Sequence, residues 1–376
     1  MPALALIALL FALPQPAGKA AAWAELVRQH EPGVLDDAVF ALADWPAEDL
    51  QAALNGLEAY GKWLFDRQTQ EPMNDLLKRG ALLHTDLAML VPHRARRFYG
   101  LPNWSSEYAV EASDGQALGS RAISGHWRFA RTLLARVEPN PAKDATVHAW
   151  YCAVAAYLQG QREHAVAFQH LEDARRFIRA DPQVWFHSGV LHETFASPSL
   201  QVAARGGRGT AIRPRRVELD EAARYFRLVV RAQPKHAEAR LRLGRVLHLL
   251  GRHDEAVTEL RAVSDATQEP LLAYYAELFL GGALEALGRL AEARACFERA
   301  AVLRPDAQSP LLALSQLARQ SGERAEAVRF IEQVMALPAS PNQRYDPLWD
   351  YDLAAARHVE RQFAELRAPF TSGDRP

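Results

Sequence analysis

The feature that most constrains the fold of this chain is a phrase of two amphipathic runs that recurs in its second half. Three turn glycines, Gly251, Gly288 and Gly322, are spaced by 37 and 34 residues. An alanine follows each of these turns, and one more precedes the first turn. These four alanines are spaced by 34, 37 and 34 residues: Ala222, Ala256, Ala293 and Ala327. A fixed period of this size, made of two helices joined by a glycine turn, predicts a helical solenoid.

The residues at fixed places in this phrase resemble the tetratricopeptide repeat (TPR) family. In that family the first helix of a hairpin carries a Leu-Gly pair, the second carries small and aromatic residues, and a proline follows. One unit matches the pattern at all of these places: Leu280, Gly281, Leu284, Gly288, Ala293, Phe297, Ala300 and Pro305. The resemblance covers about residues 146 to 337. It implies an all-α fold, a right-handed α-solenoid of stacked helical hairpins.

The recurring small residues have a packing role. Gly244, Gly281, Ala256 and Ala293 let the two helices of a hairpin approach closely, while leucine and phenylalanine fill the gaps between layers. Each hairpin alone leaves an apolar face bare, so its neighbours must stack on it. We therefore interpret the repeated phrase as a scaffold, and Cys296 within it as a small buried hydrophobic residue rather than a reactive thiol.

The region before the repeats has two parts. The apolar run ALALIALLFAL occupies residues 3–13 and is followed by Pro14 and small residues. This pattern is typical of a secretory leader, so we interpret residues 1–22 as a signal peptide. The alternative is that the run is an ordinary buried amphipathic helix. Residues 23–145 are expected to form an irregular helical region, and 146–340 hold the repeat array.

The region after the repeats, residues 341–376, is expected to form a C-terminal capping helix and a tail. The large apolar residues Trp349, Leu353 and Phe363 lie in this region. Because the last hairpin of a repeat array leaves an apolar face uncovered, we expect these side chains to cover the end of the stack.

The resemblance also implies a partner-binding groove. In the TPR family, side chains of the first helices line a concave face that binds peptide segments. The positions that correspond here are Gln183, Phe186, Glu238, Leu241, Arg245, His248, Tyr275, Leu278, Glu285, Leu312, Gln316 and Arg319. Their mixture of apolar, aromatic and charged groups suits an extended peptide or a helix. The alternative is that the chain's own amino-terminal helices fill part of this groove.

An insertion at residues 196–217 is the largest departure from the family pattern. It carries a basic loop with five arginines and no acidic residue: Arg205, Arg208, Arg213, Arg215 and Arg216. Since guanidinium groups bind carboxylates and phosphates, the loop is predicted either to cap the groove or to hold an acidic partner. The other interpretation is a solvated surface loop.

Several function classes are not supported by the sequence. The formal net charge of -1 gives no reason to expect nucleic acid as a partner. His192 and Glu193 begin the zinc motif H-E-x-x-H, but Ala196 replaces its second histidine. No catalytic constellation, cofactor motif or cluster of metal ligands is recognised, and no segment beyond the leader is apolar enough to span a membrane.

We therefore predict a non-enzymatic, protein-binding scaffold that is exported to the periplasm or secreted, and that acts in a bacterial envelope. One alternative is a TPR adaptor of the cytoplasm. Another is an enzyme or small-ligand binder whose site lies between the amino-terminal region and the groove. His84, Asp86, His93 and Arg94 are its candidate residues.

Overall fold

The computed structural model describes residues 140–205, 212–338 and 346–371, together with some of the residues between 74 and 138. In these residues the regular structure is helical throughout, without a strand. The predicted leader and the residues His84, Asp86, His93 and Arg94 lie outside this description. In the described part of the chain, no helix has both the length and the apolar character that a bilayer span requires.

The helices follow one another in a simple order. A short 3-10 helix, Pro141–Lys143, precedes α1. The α-helices up to the insertion are α1 (Ala145–Gly160), α2 (His164–Phe177), α3 (Pro182–Phe195) and α4 (Pro198–Arg205). The next ones are α5 (Arg215–Ala232), α6 (Ala237–Leu249), α7 (His253–Ser264), α8 (Pro270–Ala286), α9 (Leu290–Leu303), α10 (Ser309–Gln320) and α11 (Arg324–Ala336). A 3-10 helix (Pro347–Ala356) and α12 (Val359–Thr371) complete the chain.

These elements belong to two compact units. The first comprises Met1–Val154, Gln161–Val166 and Val359–Pro376, and the second comprises Ala155–Gly160 and Ala167–His358. Within the first unit, the indole Nε1 of Trp150 donates to Thr85 Oγ1 at 2.7 Å. The amide of Asn74 donates to the Glu138 carbonyl at 2.6 Å and accepts from its N–H at 2.9 Å.

The second unit contains a row of helical hairpins in which each first helix packs on its second helix through a small residue. The pairs are α3 with α5, α6 with α7, α8 with α9, and α10 with α11. A Cβ added at Gly281 would lie 2.4 Å from the ring of Phe297, and one at Gly244 would lie 2.5 Å from Leu260. In the last pair Ser315 takes this place, and its hydroxyl donates to the Ala327 carbonyl at 2.9 Å. Close helix contact is therefore the reason for the recurring small residue.

The recurring turn glycines end the first helices in the left-handed conformation. Gly251, Gly288 and Gly322 have φ angles of 79°, 73° and 80°. After the first of them, the N–H of Arg252 donates to the Leu247 carbonyl at 2.9 Å, which closes the helix end with the hydrogen bond of a Schellman motif. Glycine is favoured there because a Cβ destabilises this conformation.

The first repeat uses an arginine where the others use glycine. Arg162 has a φ of 63° and precedes the fully buried Ala167 by five residues, as Gly251 precedes Ala256. Gly160 instead remains inside α1, where an added Cβ would lie 2.9 Å from that of Ala356. The register of this repeat is thus shifted by two residues from the one that its glycine suggests.

Two predicted regions differ from expectation. The insertion is not a loop throughout, because α4 forms within it and α5 begins at Arg215. The region expected to hold one capping helix holds the 3-10 helix Pro347–Ala356, in the second unit, and α12, in the first. Trp349 is 52% exposed. It does not cover the last hairpin, where Val328, Ile331 and Met335 remain exposed along α11.

Candidate protein-binding groove

The predicted groove corresponds in the structure to one face of the second unit, formed by the first helices α3, α6, α8 and α10. Part of this face is buried, with Phe186, Leu241, Tyr275 and Leu278 at most 8% exposed. Glu238, Arg245, His248 and Glu285 are half-buried, whereas Gln183, Leu312, Gln316 and Arg319 are exposed. The face is therefore covered along α3, α6 and the start of α8, and accessible along α10.

The covering element is residues 346–357, which we call the C-terminal segment. Its local conformation follows from its sequence: Asp346 accepts a hydrogen bond from the N–H of Leu348 at 2.9 Å, and Pro347 occupies the first helical position. Asp350 breaks the 3-10 geometry with φ -109° and ψ 17°. Among the described residues, the C-terminal segment is therefore the element that lies on the groove, and filling of the groove by amino-terminal helices stays a prediction about residues outside this description.

Tyr351 is the anchor of the C-terminal segment. Its side chain is 2% exposed, and its hydroxyl donates to Glu193 Oε1 at 3.1 Å. The guanidinium groups of Arg242 and Arg245 lie 4.7 and 4.5 Å from its ring centroid. Tyr275 and Phe279 complete the enclosure, because their rings contact that of Tyr351 edge-on at centroid distances of 5.1 and 5.2 Å. Together these groups form an aromatic and cationic cage around the tyrosine.

A buried ion-pair network lies beneath the tyrosine. Arg242 Nη1 donates to Glu193 Oε2 at 2.9 Å, and Arg245 Nη1 donates to Glu193 Oε1 at 2.7 Å. Arg242 also donates to Glu238 Oε1 at 3.1 Å. Burial opposes the charge of Arg242, but the carboxylates of Glu193 and Glu238 outweigh burial and raise its pKa above the ordinary value. The Arg242 guanidinium therefore stays charged in this network.

The two ends of the C-terminal segment are held by hydrogen bonds of opposite character. The carboxylate of Asp346 accepts from the Tyr274 hydroxyl at 2.9 Å and from the N–H of Ser309 at 2.8 Å. The guanidinium of Arg357 donates to Glu238 Oε2 at 2.5 Å and to Glu269 Oε1 at 3.1 Å. The groove thus offers hydrogen-bond donors at one end and carboxylates at the other.

The pKa values agree with this arrangement. Burial opposes ionisation of Glu238, but Arg242 and Arg357 outweigh burial and lower the pKa of its carboxyl. Burial, together with the charge of Glu193, raises the pKa of the Tyr351 hydroxyl well above its ordinary value, so the hydroxyl stays protonated and donates. The interface between segment and groove is therefore polar, charged and desolvated at once.

Several of these residues are absent from the predicted groove. Arg242 falls at a packing position of α6, so the repeat pattern does not assign it to the groove. Tyr351 and Arg357 lie beyond the repeats, where periodicity carries no information. The signal that remains in the sequence is the alternation of aspartate with aromatic residues at Tyr345–Asp352, which is unusual for a helix that only packs.

A second polar cluster lies between α2, α3 and α5 and includes part of the basic loop. Glu218 is 1% exposed, with His192 Nδ1 at 2.6 Å from its Oε2 and the N–H of Arg213 donating to its Oε1 at 2.9 Å. Burial opposes ionisation of Glu218, but these hydrogen bonds lower its pKa. The cluster lines a cavity of about 390 Å³ together with Tyr225, whose ring stacks on His192 at 5.6 Å.

The basic loop is divided by this arrangement. Arg213 is paired with Glu218, and Arg215 donates to the Ala196 carbonyl at 3.3 Å, while Arg216 is exposed. Arg208 and the side chain of Arg205 lie outside the described residues. Binding of an acidic partner by this loop stays a prediction. In the described part of the chain, no three histidine, cysteine, aspartate or glutamate side chains are grouped to hold a metal ion.

Protein-family models agree with the hairpins. Family models described as tetratricopeptide repeat match residues 218–278, 278–306 and 311–345, which fall on α5 to α11. No curated protein matches the chain. A solved structure of MamA from Desulfovibrio magneticus RS-1 is 20% identical, with a TM-score of 0.39, and the match covers 50% of this chain and 93% of that one. A structure of Pseudomonas aeruginosa PilF is 16% identical, with a TM-score of 0.42, and coverages of 61% and 96%.

Proposed function

Because this chain is a tetratricopeptide repeat protein, we propose that it is a non-enzymatic scaffold that binds a protein partner in the groove. The observation that carries the proposal is that the groove already holds a polypeptide segment. Residues 346–357 lie on it in an irregular 3-10 conformation. They are bound through the caged Tyr351, through the Pro347 carbonyl, which accepts from the Tyr275 hydroxyl at 2.7 Å, and through two charged ends. These are the features of a peptide-binding surface.

The accessible part of the groove gives a partner its first contacts. Leu312 is 41% exposed on α10, and Gln316 and Arg319 are exposed one and two turns further along the helix. Glu285 of α8 faces the same region and accepts from Gln320 Nε2 at 2.7 Å. An apolar side chain flanked by hydrogen-bonding groups of both kinds suits a peptide segment rather than a single small ion.

Photo-crosslinking tests this assignment. A photoreactive amino acid replaces Gln316 or Arg319 in the groove and, as a matched control, Glu298, which is exposed on the second helix α9. We expect crosslinked partner protein in cells from the groove positions and none from the control. Equal crosslinking at all three positions, or none at the groove in a folded chain, would contradict the proposal.

The location we propose is the bacterial envelope, and its support is the apolar run at residues 3–13. Amino-terminal sequencing of the mature protein distinguishes this from the cytoplasmic alternative. A start near Trp23 is expected for an exported chain. A start at Met1 in a cytoplasmic fraction would favour a TPR adaptor of the cytoplasm and would leave the groove assignment unchanged.

A further inference from the structure

We propose that the C-terminal segment is an internal copy of the motif that the groove recognises in its partner. The motif is a carboxylate, then an aromatic hydroxyl five residues later, then a guanidinium six residues further, as in Asp346, Tyr351 and Arg357. A partner with this chemistry binds by displacing the segment. The inference rests on the proposed function and adds to it the chemistry of the partner and the control of the site.

The cage around Tyr351 indicates what the partner must supply at the centre. Two guanidinium groups face the ring at 4.7 and 4.5 Å, and Glu193 accepts from its hydroxyl at 3.1 Å. A buried aromatic ring that also satisfies a carboxylate is the usual composition of an interface hot spot. Phenylalanine in its place would leave one lone pair of Glu193 without its donor, so a tyrosine is selected.

The charges at the two ends fix the direction of the bound segment. Asp346 meets a hydroxyl and a backbone N–H at the first turn of α10, where the helix dipole also favours a negative group. Arg357 meets the two carboxylates of Glu238 and Glu269. A segment bound in the reverse direction would bring carboxylate to carboxylate. The groove therefore discriminates by direction as well as by composition.

The groove is built so that the segment can leave. Glu193 keeps Arg242 and Arg245 as partners without it, and Glu238 keeps Arg242. No groove charge is then left buried and unpaired, which is the most costly result of breaking such a network. The segment depends on the groove in turn, because its 3-10 helix is interrupted at Asp350 and the poor hydrogen-bond geometry of short 3-10 turns gives them little stability by themselves.

Competition with a tethered copy predicts a defined change in affinity. A short tether gives an effective concentration of millimolar order, and the apparent affinity of a free ligand falls by the fraction of molecules whose site is open. Weakening the segment without altering the groove should therefore tighten the binding of a free peptide by roughly ten-fold or more.

The test uses the full-length chain and a fluorescein-labelled synthetic peptide with the sequence of residues 344–358. Binding is measured by fluorescence anisotropy for the wild type and for the double variant Tyr351→Ala/Arg357→Ala. We expect the double variant to bind at least about ten-fold more tightly. The same peptide with Tyr351→Ala should bind neither protein. Adding Arg245→Ala to the double variant, which removes one wall of the cage, should abolish binding of the unmodified peptide.

A second measurement covers the case in which the double variant does not fold. In the wild type, saturating unlabelled peptide should accelerate amide hydrogen exchange in residues 346–357 and leave exchange in α9 unchanged. Equal affinities of wild type and double variant, binding that ignores the tyrosine of the peptide, or exchange in the segment that does not respond would each overturn the proposal.

The outcome also separates this inference from the proposed function. If Gln316 and Arg319 crosslink to a partner equally in the wild type and in the double variant, the scaffold function holds and the internal copy does not. If neither protein gives crosslinks but the double variant binds the peptide tightly, the proposed scaffold function is contradicted. The groove then remains a receptor for the motif.

Discussion

Replacing Gly281 with alanine is expected to destabilise the α8/α9 hairpin, whereas the same replacement at the next residue, Gly282, is expected to stabilise it. A Cβ at Gly281 would lie 2.4 Å from Cε1 and 2.6 Å from Cδ1 of Phe297. A Cβ at Gly282 would meet only the ring of His248, at 3.9 Å. The two glycines are neighbours in the same helix, so the difference in stability between the two alanine variants isolates the contact between α8 and α9.

The magnitude follows from two opposing terms. Carbon atoms prefer a separation of about 3.5–4.0 Å, so the Gly281→Ala variant must move the helices or the ring by about 1 Å. Overpacking of this kind costs roughly 1–3 kcal/mol. Alanine gains about 1 kcal/mol over glycine in a helix interior. The net loss at Gly281 is therefore about 0–2 kcal/mol, while Gly282→Ala gains roughly 0.5–1 kcal/mol because only the second term applies.

The assay is urea unfolding of each full-length variant, followed by far-UV circular dichroism, with amide hydrogen exchange in α8 to localise the effect. The dependence of the unfolding free energy on urea concentration should be the same for both variants. The urea concentration at the midpoint should fall for Gly281→Ala and rise for Gly282→Ala. The reasoning would be refuted if Gly281→Ala were as stable as Gly282→Ala. That result would mean that close approach of the helices is not what selects glycine at this position.

Three further predictions concern single residues. Arg162 holds a left-handed φ of 63°, so Arg162→Gly should raise the unfolding free energy by about 1 kcal/mol, and a control with Arg162→Ala should not. Burial lowers the pKa of His187 to about 4, from an ordinary 6.5. The unfolded chain therefore takes up a proton first as the pH falls below 6.5, and stability should drop by up to about 3 kcal/mol towards pH 4; His187→Gln should flatten that part of the pH profile of urea midpoints. Burial, together with Glu277, raises the pKa of the Cys296 thiol to about 11, so iodoacetamide at pH 8 should label it, by mass spectrometry, only after unfolding, and rapid labelling of the native chain would contradict this.

The hairpins were predictable because their signals are local. A left-handed turn is met by glycine at Gly251, Gly288 and Gly322. Close contact with the second helix is met by a small residue, as at Gly281, and both features recur at a fixed spacing. Where the local need is met by a different residue, prediction from the pattern fails. Arg162 occupies the turn position of the first repeat in spite of its side chain, which is why the glycine two residues earlier gives a misleading register.

The candidate site was predictable only in outline. The resemblance to the repeat family places Glu238, Arg245 and Tyr275 on one face. In the structure Arg245 and Tyr275 contact Tyr351, and Glu238 accepts from Arg357, while their role as a partner-binding surface stays a prediction. The resemblance also leads to the expectation that the last part of the chain covers the end of the stack, whereas Tyr351 packs in the groove and Trp349 is 52% exposed. The repeat pattern leaves two apolar surfaces without a covering segment, the end of the stack and the groove. Composition alone does not say which of them the C-terminal segment covers.

The sequence by itself determined the repeat architecture and the turns at Gly251, Gly288 and Gly322, because each depends on spacing within one unit of about 35 residues. The tertiary structure alone decided that residues 346–357 occupy the groove. The hydrogen bond from Tyr351 to Glu193 joins residues 158 positions apart, and that from Arg357 to Glu238 joins residues 119 apart. Such contacts have no period. They form because a buried carboxylate network and a tyrosine with charged flanks satisfy each other only when the whole chain has folded.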